Sequence, residues 1–153
     1  MDVASLISAD IVRAPMRALD RLSAIRELVE LLGEKELVPN VDTAVDLVWA
    51  REQERTTGIG EGLAVPHARV PGLERVLVAV GRAATPIDFN AFDQKPVRLV
   101  VLVLSPPTCT ADHIQVLGWL SRRMADRCTR LAVYDAETAQ DMVDLLCAEP
   151  AAG

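Results

Sequence analysis

The sequence predicts an α/β layered sandwich, and three observations carry that expectation. Two early segments repeat apolar residues at helical spacing. Residues 76–80 and 97–104 are nearly continuous Val/Leu runs, the pattern of strands covered on both faces. Helical patterns then return, so helices stand before and after a buried sheet. Taken in order, Asp20 is placed to cap a first helix, with Leu22, Ile25, Val29 and Leu32 on one face and an end near Gly33 or Leu37. Asn40 caps a second, which carries Val41, Ala44, Val45, Val48 and Trp49, runs through Arg51 and Glu52, and stops before Gly58. Strands are expected at residues 63–65, 76–80 and 97–104. Ser105, Pro106, Pro107 and Thr108 break the chain, after which a third helix turns Ile114, Leu117, Leu120 and Met124 towards the core. A fourth begins at Asp135 and presents Ala139, Met142, Val143 and Leu146. Residues 1–148 read as one domain, and the tail at 149–153, Glu-Pro-Ala-Ala-Gly, is expected to fray.

Composition narrows the function. Half of the 153 residues are apolar, a quarter are charged and only 3% are aromatic, so the core must be built from Leu, Val, Ile and Ala. The net charge is −6 and no basic run exceeds Arg122-Arg123, which disfavours binding to a nucleic-acid backbone. The longest apolar run, residues 99–104, is far too short to span a bilayer, and the first dozen residues lack the apolar stretch of a secretory signal. Three cysteines, Cys109, Cys128 and Cys147, form no CxxC pair and no even set. That pattern suits a reducing cytoplasm and argues against a disulfide framework.

The most informative stretch is residues 55–70, Arg-Thr-Thr-Gly-Ile-Gly-Glu-Gly-Leu-Ala-Val-Pro-His-Ala-Arg-Val. Gly58, Gly60 and Gly62 suit a tight turn, since glycine reaches positive φ without strain. The G-x-G-x-G spacing is not the G-x-G-x-x-G of a dinucleotide site, and no Lys-Ser/Thr follows to make a P-loop. The loop would still let backbone N–H groups approach an anion. Pro66 fixes its own φ and keeps Val65 extended, so a strand delivers the His67 imidazole rigidly at its end, where α/β sheets commonly build sites.

The chain has one other histidine. His113 falls in the first turn of the third helix, at the margin of its apolar face, where the helix N-terminus favours a nearby anion. A partly buried histidine satisfied by the protein is the simpler reading there. Arg51, near the end of the second helix, could equally be a solvated cation balancing the helix dipole. Together, however, a nucleophilic imidazole, a second imidazole and a guanidinium suit phosphoryl transfer through a phosphohistidine, with no metal or cofactor required.

Glu52 followed after six residues by Ile-Gly-Glu-Gly-Leu-Ala-Val-Pro-His-Ala, residues 59–68, resembles the phosphorylation-site signature of the fructose/mannitol-type enzyme IIA of the bacterial phosphotransferase system. Residues 85–106 resemble that family's strand-turn-strand section, and residues 112–126 resemble the helix that carries its second histidine. The resemblance covers most of the chain. It implies a mixed β-sheet flanked by helices on both faces. It implies that His67 accepts a phosphoryl group from the phosphocarrier HPr, that His113 hydrogen-bonds the phosphate, and that Arg51 neutralises its charge. Glu61 stands where the family often has Asn, and Ala68 where Gly is frequent. Glu61 would then be a mild electrostatic brake on an incoming phosphate.

Three readings follow. In the first, the protein is a cytoplasmic phosphocarrier that passes the group to a separate IIB component, since this chain has neither room for a IIB domain nor a membrane segment. In the second, it resembles the stand-alone nitrogen-regulatory IIA proteins and acts as a phosphorylation-dependent binding module for a regulatory protein. In the third, His67, His113, Cys109 and Asp112 serve a metal-dependent or cysteine hydrolase, although no third ligand joins the Cys109-x3-His113 pair.

Overall fold

A computed structural model describes residues 2–148; the expected frayed tail at 149–153 lies outside the described residues. Two short 3₁₀ turns, Val3–Leu6 and Ala9–Ile11, lead into strand β1 (Val12–Met16). Helices α1 (Arg21–Glu34) and α2 (Val41–Glu54) follow, then β2 (Gly58–Gly60), β3 (Leu63–Ala64), β4 (His67–Arg69), β5 (Leu77–Ile87) and β6 (Val97–Ser105). Helices α3 (Thr110–Ala125), α4 (Arg127–Asp135) and α5 (Ala139–Cys147) complete the chain as described.

The sheet is mixed and runs β1-β5-β6-β3-β2, with β4 also paired to β6. Strand β6 lies antiparallel to β5 and parallel to both β3 and β4. β3 pairs at Leu99 and Val100, while β4 pairs at residues 103–105. The two short strands therefore act as one strand interrupted at Val65-Pro66. Every residue of β6 but Arg98 is buried, which requires cover on both faces. Helices α1 and α2 pack on each other and over β5 and β4, and α3 lies against β6. The buried side chains form one continuous cluster dominated by Val, Leu, Ile and Ala, as the scarcity of aromatics demanded.

Helix starts are set by side-chain caps that satisfy otherwise unpaired N–H groups. Asp20 accepts from the Ser23 N–H at 2.8 Å and Asn40 Oδ1 from the Thr43 N–H at 3.0 Å, both at the expected positions. Asp126 does the same for Thr129 and begins α4, a helix the apolar pattern did not reveal because three of its nine residues are charged and only Val133 and Tyr134 are buried. Helix α5 consequently starts later than Asp135, behind the Thr138 cap.

Other expectations are corrected by packing. Leu120 and Met124 are buried on α3 as expected, but Ile114 is 62% exposed and Leu117 only half-buried, and His113 and Val116 complete the inner face. His113, expected only at the margin of the apolar face, lies within it. Leu22 is also exposed, with Ala24, Ile25 and Leu28 taking the inner face of α1. Strand β5 extends well past residue 80 because β1 supplies a parallel neighbour out to Ala83. β1 itself went unread, since a five-residue segment with a proline is legible only as an edge strand. At Gly81 a Cβ would collide with the Met16 side chain, so the close approach of β1 requires glycine there. Among the described residues, no helix is long and apolar enough to cross a membrane.

Candidate active site

The site is built where β4 and β6 end and α2 and α3 meet them. His67 opens β4, paired in register with Val103. Val103 donates its N–H to the Pro66 carbonyl at 3.0 Å, and Val65 donates to the Thr57 carbonyl at 3.0 Å. The segment on either side of Pro66 is thereby held from both sides. The His67 Nδ1 lies 2.8 Å from the Val65 carbonyl oxygen. A carbonyl only accepts, so Nδ1 carries the proton, and the lone pair of the neutral ring sits on Nε2.

His113 comes from the first turn of α3, on the turn that follows directly from Ser105 at the end of β6. It is 6% exposed, with Nδ1 at 2.6 Å from Ser105 Oγ. The two imidazole rings lie 5.3 Å apart between centroids, tilted by 58°. Sequence separation of 46 positions thus becomes direct proximity. Burial is the main cause that lowers the His67 pKa; Arg51 lowers it further, against the Val65 bond and Glu52, which raise it. His113 falls to about 4, through burial first, then the neighbouring His67 and Arg69. Both rings are therefore neutral at neutral pH, the state a nitrogen nucleophile and a neutral donor require.

Arg51, in the last turn of α2, is half-buried and lines the same cleft of about 540 Å³ as His67. Its Nη1 donates to the Arg55 carbonyl at 3.1 Å. Among the described residues, no carboxylate pairs with it, so its charge is uncompensated beside the imidazole. The neighbouring Glu52 is 1% exposed and performs a different task. Its carboxylate accepts the Thr57 N–H on both oxygens at 3.1 Å and the Thr57 hydroxyl at 2.5 Å, with Arg21 at 3.9 Å. A buried charge so bonded is tolerable, and it clamps the loop between α2 and β2. In the sequence Glu52 was only the first letter of a signature; its buried role had no separate signal there.

Of the three glycines expected to cradle an anion, only Gly58 lines the cleft, and its N–H donates to Thr56 Oγ1 at 3.0 Å. Gly60 and Gly62, at φ +100° and +86°, serve the turn from β2 to β3 and face Asp93 and Tyr134. Glu61 between them also has positive φ, and its carboxylate lies 3.8 Å from both Lys95 and Arg130, in a separate cleft. It is aimed away from His67, which removes the physical basis for an electrostatic brake. Cys109 is a free, partly buried thiol, and among the described residues no three His, Cys, Asp or Glu side chains are grouped as metal ligands would be. The sequence reading also missed the rim of the cleft: Ile59 and Phe92, 55% and 94% exposed, stand beside the half-buried Leu117. A phenylalanine in a turn between Asn90 and Asp93 was the available signal, since nothing there could bury it.

Residues 5–148 match the family described as phosphoenolpyruvate-dependent sugar phosphotransferase system, EIIA 2. Over 145 residues the chain is 32% identical to the PTS system fructose-specific EIIA component of Haloferax volcanii, covering 95% of this chain and 94% of that one. The crystal structure of nitrogen regulatory protein IIA-Ntr from Neisseria meningitidis superposes with a TM-score of 0.87 at 26% identity, over 94% of this chain and 98% of that one. The fold also matches the complex of enzyme IIA-mannitol with phosphorylated enzyme IIB-mannitol from Escherichia coli, at TM-score 0.79 and 21% identity, over 94% and 98% of the two chains.

Proposed function

The chain belongs to the EIIA 2 family of the phosphoenolpyruvate-dependent sugar phosphotransferase system, and from that premise we propose that it carries a phosphoryl group on Nε2 of His67 between an HPr-type donor and a separate IIB-type acceptor. The observation that supports this reading best is the 2.8 Å bond from His67 Nδ1–H to the Val65 carbonyl, which leaves Nε2 as the nucleophilic nitrogen.

The transfer balances without a proton leaving the site. Nε2 of neutral His67 attacks phosphorus as the nitrogen–phosphorus bond of the protonated donor phosphohistidine breaks, and the donor departs as a neutral imidazole. His67 keeps its Nδ1 proton and becomes cationic, so the hydrogen bond to Val65 strengthens as charge develops. The transition state is loose, and catalysis consists of positioning and charge stabilisation. Arg51 meets the phosphoryl charge from the α2 side, and His113 donates to it from α3. The apolar rim of Ile59, Phe92 and Leu117 gives a partner protein an exposed surface around the nucleophile. The IIA–IIB complex whose fold this chain shares supports such docking in kind.

A second reading, regulation through phosphorylation-dependent contacts, is favoured by the likeness to the nitrogen regulatory protein. It uses the same phosphohistidine. The test of both is incubation with phosphoenolpyruvate, enzyme I and HPr, followed by detection of an acid-labile phosphoryl group. The group is expected on wild-type protein and absent from a folded His67→Ala variant; labelling of that variant would overturn the assignment. Passage of the label to a IIB protein supports the carrier role, and phosphorylation with no acceptor among the IIB proteins of the same cell supports the regulatory one.

A further inference from the structure

The two histidines differ in what holds their Nδ1 atoms, and that difference is chemical. We propose that Ser105 is a positioning residue that sets His113 in the tautomer with its proton on Nε2, so that the paired imidazoles hold opposite tautomers and cannot exchange roles. The inference rests on the reading that His67 bears the phosphoryl group.

Ser105 closes β6 at 1% exposure. Its backbone is held in the sheet: it pairs with Arg69, and its carbonyl accepts the Val70 N–H at 2.8 Å. The side chain therefore has a fixed origin, and its Oγ reaches His113 Nδ1 at 2.6 Å. Two arrangements of the proton are conceivable. If Nδ1 donated to Oγ, the serine hydroxyl hydrogen would need an acceptor of its own, and His113 is the one hydrogen-bond partner that Oγ has among the described residues. A buried donor left without a partner costs more than an ordinary hydrogen bond contributes. If the hydroxyl donates to Nδ1 instead, every polar hydrogen is satisfied, and the single proton of the neutral ring resides on Nε2.

His67 is subject to the opposite constraint. The Val65 carbonyl has no proton to give, so it holds Nδ1–H and leaves the lone pair on Nε2. Two rings with centroids 5.3 Å apart are thus differentiated by one carbonyl and one hydroxyl. His113 presents N–H towards the phosphoryl group, while its own lone pair is capped by Ser105 and unavailable as a nucleophile. The depressed His113 pKa agrees, since a neutral ring is what makes the tautomer matter. Partners that orient a functional imidazole through its second nitrogen act in this way at other sites.

The test begins with ¹⁵N NMR of the imidazole nitrogens in unphosphorylated wild-type protein at neutral pH. The expected pattern is a protonated Nδ1 on His67 and a protonated Nε2 on His113; a protonated Nδ1 on His113 would overturn the proposal. These spectra decide the role of Ser105 even if His67 proves not to be the acceptor, which the labelling experiment reads separately. Kinetics supply the second arm. Ser105→Ala should slow transfer from phosphorylated His67 on the order of tenfold, and Ser105→Thr, which keeps a hydroxyl, should recover part of it. In a His113→Ala background, Ser105→Ala should add no further loss, because Ser105 acts through the imidazole. An undiminished loss in that background would mark Ser105 as merely structural and sink the idea.

Discussion

His113 is the residue at which the energetics of the site can be isolated. Its folded pKa is about 4, well below the ordinary value near 6.5, chiefly because burial penalises the imidazolium. Between those values the unfolded chain binds a proton that the folded chain does not, so unfolding free energy rises with pH. Stability is fully present above about pH 6.5 and is lost as pH falls towards about 4. His67 contributes in the same direction, since its pKa is lowered too. Replacing His113 with Gln removes only the His113 component. Urea melts at pH 7 and pH 5 should therefore show a smaller loss for His113→Gln than for wild type, and parallel losses would refute the burial account.

At the level of elements, the site depends on the loop that joins α2 to β2. Glu52 holds that loop by the Thr57 N–H and hydroxyl, and Thr56 reaches the Phe89 carbonyl from the same loop. Glu52→Ala would strand the Thr57 N–H in a buried position and release Arg21. We expect a loss of roughly 2–4 kcal/mol in urea melts, with Glu52→Gln costing less because one acceptor survives. Labelling of His67 should slow in parallel, since Val65 hangs from the Thr57 carbonyl. A stability change under about 0.5 kcal/mol, the size usual for surface substitutions, would show that the clamp is dispensable. The sequence displayed α2 and its cap clearly. It did not display the clamp, because a buried glutamate at a helix end reads like any solvated one.

Across the whole molecule, β6 separates two clefts. The His67 end pairs at Val103, whereas Gly62 accepts from the N–H groups of Arg98 and Leu99. Five residues of strand at about 3.3 Å each put the ends about 16 Å apart, beyond the Debye length at physiological salt. Glu61→Asn should accordingly leave the phosphoryl-transfer rate within about twofold at 0.1 M salt, where exposed charges are screened over about 10 Å. Its effect should be confined to the exposed pair with Lys95, worth under about 1 kcal/mol, and the pair with the partly buried Arg130. A clear, salt-dependent acceleration would bring Glu61 back to the site.

What the sequence determined by itself was local and periodic. Val/Leu runs marked β5 and β6 as buried, Asp20 and Asn40 marked helix starts, and Pro66 marked the strand break beside His67, although His67 opens β4 and does not close the strand before it. Those signals arise within one turn or one strand, where neighbours in sequence are neighbours in space. The tertiary structure alone decided the rest. Only the parallel register of β4 on β6 brings His67 beside His113, and only the β6-to-α3 turn sets Ser105 against the second ring. Likewise the three glycines share a motif but not a cleft, because successive left-handed residues at 60–62 turn the chain away. Proton positions, pKa shifts and the division of labour between two identical side chains depend on atoms supplied from different elements, and no pattern within a single segment encodes them.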